Sequence, residues 1–136
     1  MTTYASKTQV SVARSKVEIQ ETLERFGADG VIVSTYRGQP VVMFELNGRP
    51  YKMTIHVPSA SIETQAQRVK WRALSLLIKA KVVAVTGDEP LLQPEAEFVG
   101  YAMLPDHSTV GEHIAEDLIA MHATGQLPGL IPRGRS

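Results

Sequence analysis

The 136-residue chain has no cysteine, which excludes disulfides and thiolate metal sites and permits a reducing environment. It has no excess of either charge, since 14 Lys and Arg balance 14 Asp and Glu. No global field therefore draws it to nucleic acid or membrane, and an electrostatic partner must be met by a local patch. Long apolar runs are missing too. The longest is broken by Lys79 and Lys81, so no segment is expected to span a bilayer. The opening "MTTYASKTQVSVARSK" lacks the apolar core of a signal peptide, and the expectation is a soluble protein of the cell interior. Also absent are a Gly-rich phosphate loop, a G-x-S-x-G elbow and a cysteine nucleophile.

What is present fits one α+β domain, long enough for a single core. After a polar arm at 1–13, "RSKVEIQETLERFGADG" predicts a helix. Ser15 and Glu18 match the S-x-x-E capping box, Ile19, Leu23 and Phe26 share a face, and Gly27 supplies the left-handed stop. Three strands follow, "VIVSTY", "VVMFEL" and "YKMTIHV". Asn47-Gly48 is a strong hairpin signal, and a tight turn there sets Leu46 against Arg49, Phe44 against Tyr51 and Val42 against Met53. An Arg37-Gly38 turn likewise sets Val33 against Val42. One face is then apolar. The other is mixed and includes Ile32, Ser34, Tyr36 and Met43.

A long helix is predicted from a cap at Ser59 or Ser61 to about Val85. A helical turn near Pro94 to Phe98 and a fourth strand ending at Leu104 come next. The last helix has a Thr109/Glu112 capping box, a buried stripe of Ile114, Leu118 and Met121, and Gly125 as its stop. The tail "QLPGLIP" is apolar enough to dock.

The long helix poses the main question. Trp71, Leu74, Ile78 and Val85 form one apolar stripe, and Ala66, Val69, Ala73, Leu76 and Ala80 form a second of smaller residues. Between them, Arg68, Arg72, Ser75 and Lys79 fall within roughly a 40° sector at helical spacing. Lys70 and Lys81 lie on the other side, beside Leu77. Such a ridge is either a solvated helix edge whose long stems cover apolar neighbours or a track for successive phosphates, with Trp71 as a stacking platform where it is exposed.

The α-β-β-β-α order resembles restriction-endonuclease-like nucleases, which place an acid on the second strand and an acid-x-lysine on the third. Glu45 and Lys52 match in part, but Pro50 occupies the position of the second acid. The order is also similar to that of double-stranded-RNA-binding domains, a likeness of topology alone. His113 and Asp117 have i, i+4 ligand spacing, with His107 and Glu112 near in sequence but no third ligand assured. The polarity of a surface helix explains them better, and no metal or other cofactor is expected.

Across nearly its whole length the chain resembles a group of small uncharacterised proteins of tailed bacteriophages and prophages. The residues that carry the likeness are "YASKTQVSVARSKVEIQETLERFGA", "RVKWRALSLLIKAKVVAV" and "FVGYAMLPDHSTVGEHI". The connection "VPSASIETQAQ" is shorter than in many members. The resemblance implies a phage or prophage origin and a bacterial cytoplasm, and it implies no activity.

Three functional expectations follow. The first is a non-enzymatic accessory protein of replication or recombination that binds DNA or RNA through Arg68, Arg72 and Lys79, with Lys52, Arg49 and Arg37 at the sheet turns. The second is an interaction protein that sequesters a host protein or a small nucleotide ligand in counter-defence, or forms a homo-oligomer, through Ile32, Tyr36, Val41 and Met43. The third, a metal-dependent nuclease at Glu45, rests on element order only.

Overall fold

The structure, a computed structural model, describes residues 7–36, 39–57 and 62–126. It is an α+β fold in which a three-stranded antiparallel sheet is flanked by helices. Helix α1 spans Val12–Phe26. Its cap is Ser11, whose hydroxyl accepts the Arg14 N–H at 3.1 Å, and not Ser15. The Ser15/Glu18 box is thus corrected: Ser15 is fully buried one turn inside the helix. Two serines four residues apart compete for the cap, and the one that can turn into the interior does so. Gly27, at φ 102°, ends the helix, and the Ala28 N–H closes back on the Leu23 carbonyl at 3.0 Å.

Strands β1 (Asp29–Tyr36), β2 (Gln39–Leu46) and β3 (Arg49–Thr54) lie in sequence order. Asn47 and Gly48 both have positive φ, 53° and 77°, as a type I′ turn requires. The expected pairs Leu46–Arg49, Phe44–Tyr51 and Val42–Met53 are all present, as is Val33–Val42. Tyr36 pairs with Gln39, while the intervening Arg37 and Gly38 lie outside the described residues. β1 is irregular between Asp29 and Ile32, where Gly30 takes φ 57°. Pro40 is tolerated in the central strand because it stands opposite the end of β3, where only its carbonyl is used, accepting from the Ile55 N–H at 3.4 Å.

Val42, Phe44, Tyr51 and Met53 make the inner face and are buried against Ile19 and Leu23 of α1 and against Trp71, Leu74 and Ile78. Those last three belong to α2, Gln65–Val85. Its cap is Thr64, in a capping box with Gln67. The expected caps Ser59 and Ser61 fall outside the described residues. Of the expected apolar stripes, the large-residue one is buried, whereas Ala66 and Ala80 of the small-residue one are exposed.

α3 (Pro94–Phe98) inserts Phe98 edge-on against Phe44, with centroids 5.7 Å apart. A short 3-10 turn follows at Val99–Tyr101. The expected fourth strand is reduced to single bridges, Ala102 with Tyr51 and Met103 with Thr109. The Met103 N–H nevertheless donates to the Pro50 carbonyl at 3.0 Å, which covers that edge of β3. α4 (Val110–Thr124) has the expected Thr109/Glu112 box and ends at Gly125 with φ 71°. Its expected buried stripe is overturned: no residue of α4 is buried, and Leu118 is 44% exposed. Beyond Gln126 the tail lies outside the described residues. No described helix is long and apolar enough to cross a membrane.

Candidate functional site

The cations of α2 are placed by their neighbours. α1 packs alongside α2, and the sector holding Arg68, Arg72 and Ser75 meets it. Arg72 Nη1 is 2.6 Å from Glu18 Oε1, and Glu18 also holds Arg14 at 3.0 Å. The Arg14 hydrogen bond, then that of Arg72, keeps the Glu18 carboxyl below its ordinary value. Arg68 pairs with Glu63 at 3.3 Å, and on the opposite edge Lys81 pairs with Glu97 at 2.7 Å. Lys79 and Lys70 are exposed. An apolar helix carries these cations because most of them are tied to carboxylates on neighbouring segments.

Trp71 cannot serve as a stacking platform. It is 4% exposed, and Lys16 Nζ lies over its ring at 4.9 Å. The remaining candidate cations do not join the ridge. Lys52 points to the outer side of the sheet and donates to the His107 carbonyl at 2.7 Å. Arg49 is exposed at the β2–β3 turn, and Arg37 lies outside the described residues.

The outer sheet face brings the apolar candidates together. Ile32 stands opposite Met43, and Ser34 opposite Val41, with Lys52 and Thr54 next in line on β3. Ile32 is 51% exposed, while Val41 and Met43 are half-buried. For Tyr36 the backbone register alone places it on this face. α4 rises beside the β3 end, leaving a cleft of about 340 Å³ lined by Lys52, Thr54, Tyr101, Thr109, Glu112 and Ala115 among others.

Gly111 makes this approach possible. A Cβ there would come within 2.8 Å of the Gly100 carbonyl oxygen, so only glycine lets the first turn of α4 rest on the Val99–Tyr101 turn. Sequence reasoning missed this contact, because two glycines eleven residues apart give no periodic signal. Beyond that turn α4 exposes Leu118 and, at 71%, Ile119.

The polar pairs considered for chemistry are weakly assembled. His113 Nε2 is 3.9 Å from Asp117 Oδ2. Glu45 stands opposite Pro50, and Lys52 opposite Met43. Among the described residues no three His, Asp or Glu side chains are grouped to hold a metal ion. No protein-family model, curated protein or solved structure was found to match this chain.

Proposed function

We propose that this chain is a non-catalytic interaction protein that presents the outer face of its sheet, walled on one side by α4, to an apolar protein surface. One observation carries the reading: α1 and α2 both pack on the inner face, which leaves half-exposed Ile32, half-buried Met43 and exposed Leu118 and Ile119 without cover among the described residues. Apolar side chains left in such an arrangement gain roughly 25 cal/mol per Å² when a partner removes them from water. In the setting that the phage resemblance implies, the partner is a protein of the bacterial cytoplasm. The nucleic-acid reading is weaker, since Arg68 and Arg72 are already paired.

The test is site-specific photocrosslinking in a bacterial host. A photoreactive residue at Thr54 is expected to capture a discrete protein other than a second copy of this chain, and Met43→Asp is expected to abolish that capture. The same probe at exposed Glu21 on α1 serves as the control. Equal capture from Glu21, or capture that survives Met43→Asp, overturns the proposal.

A further inference from the structure

The two edges of the sheet are built differently. The β3 edge has Arg49, Pro50 and Lys52 and is covered by the Ala102–Met103 segment. These are the usual devices that prevent strand addition. The β1 edge has a charge, Asp29, and an irregularity only at its start, and its regular part has none of these devices among the described residues. Among the described residues no strand lies beyond it, and from Val31 to Tyr36 it carries neither charge nor proline. Its sequence, "VIVSTY", is rich in residues that favour extended pairing.

The register shows which groups are free. The Pro40 carbonyl accepts from Ile55, so the backbone groups of Pro40 and Val42 face β3, and those of Val41 and Met43 face β1. Val41 and Met43 pair with Ser34 and Ile32. The N–H and C=O of Val33 and Thr35 therefore point away from the sheet, because backbone groups alternate sides along a strand. The regular part of β1 runs from Ile32 to Tyr36, and its middle residue is Ser34.

We infer that β1 pairs antiparallel with β1 of a second copy of this chain, about a twofold axis at Ser34, joining two sheets into one of six strands. Val33 of each copy exchanges hydrogen bonds with Thr35 of the other, four bonds in all. The isologous geometry brings the same uncharged residues together, so no like charges meet. Ser34 stands opposite itself as a non-hydrogen-bonded pair, with Cα atoms at about 4.5 Å. The exposed Ile32 of each copy then joins one continuous outer surface. The inference is independent of the proposed function, since the outer face stays open whether or not the edge pairs.

Light scattering of the full chain should give twice the 14.9 kDa monomer mass. Ser34→Lys, on the exposed outer face, is expected to give a monomer with an unchanged circular dichroism spectrum. An equimolar mixture of Ser34→Lys with Ser34→Glu should restore the dimer. Thr35→Pro removes two of the four donors and should weaken association roughly 30-fold at a typical net hydrogen-bond contribution. Because the native chain lacks cysteine, Ser34→Cys offers a direct readout: oxidation should link two chains, as the expected Cα separation suits a disulfide, whereas Thr54→Cys should not. A monomeric native chain overturns the inference, and so does a dimer that persists in both Ser34→Lys and Thr35→Pro.

Discussion

At the scale of single residues, the seam between α1 and α2 decides two outcomes that local sequence rules misjudge. Ser15 is fully buried and its hydroxyl finds no hydrogen-bond partner among the described residues. A capping serine costs about 1 kcal/mol when replaced by alanine, but an unsatisfied buried hydroxyl costs a comparable amount to keep. Ser15→Ala is therefore expected to stabilise the protein by about 1 kcal/mol in urea denaturation, helped by the higher helix propensity of alanine. Loss of stability instead would restore Ser15 as a cap. Glu18 gives the second outcome. Its pKa is lowered from 4.5 in the folded state by Arg14 and then Arg72, so its contribution is fully present above that value and is lost as pH falls through the folded value. Glu18→Gln should cost about 1 kcal/mol at neutral pH, the upper range for a partly exposed pair. Denaturant midpoints measured down the acid limb should show the variant and native chain converging below pH 4.5. A gap that stays constant with pH would rule out the ion pairs as its source.

At the scale of elements, α4 depends on one close approach. Alanine normally gains about 1 kcal/mol over glycine inside a helix. At Gly111 the added methyl would meet the Gly100 carbonyl oxygen, a backbone atom that cannot swing aside. Gly111→Ala should therefore release the helix from its turn, and amide hydrogen exchange should speed up at Val110, whose N–H donates to the Ala102 carbonyl at 2.9 Å, and at Ala102, whose N–H donates to the Val99 carbonyl at 3.1 Å within that turn. Exchange in α2 should not change. Unaltered exchange at Ala102 and Val110 would show that the turn can shift to make room.

The same elements show how much was legible from sequence. The hairpin register could be read because a two-residue turn and period-two alternation are both local. The end of α1 at Gly27 and the box at Thr109 are local in the same sense. The stripe of Ile114, Leu118 and Met121 was equally visible as periodicity, yet periodicity says only that a helix has an apolar side. It does not say that this chain supplies the cover. The start of α1 was misplaced because Ser11 and Ser15 are both competent caps, and tertiary packing chose between them.

At the scale of the whole molecule, zero net charge conceals an arrangement in which cations on α2 are held by carboxylates from other parts of the chain. Glu18 and Arg72 are 54 residues apart, so no reading of the helix by itself could show that two of the three ridge cations, Arg68 and Arg72, are already paired. The consequence can be tested with labelled single-stranded and duplex DNA. The native chain should bind negligibly even at about 50 mM salt, because Arg68 and Arg72 of the ridge are already held by carboxylates and the chain has no net charge to draw phosphates in. Glu18→Gln combined with Glu63→Gln removes two negative charges and leaves Arg68 and Arg72 without their carboxylates. That double variant should gain weak binding at low salt. With two phosphate contacts it should lose about tenfold in affinity between about 50 and 200 mM. Tight, steeply salt-dependent binding by the native chain would mean that phosphates outcompete the carboxylates, and the ridge would then be a binding track. Failure of the double variant to bind would mean that Arg68 and Arg72 serve the seam between helices through their stems as well as their charges. Either result separates the ridge from the outer sheet face, which lies across the sheet and carries none of these ion pairs.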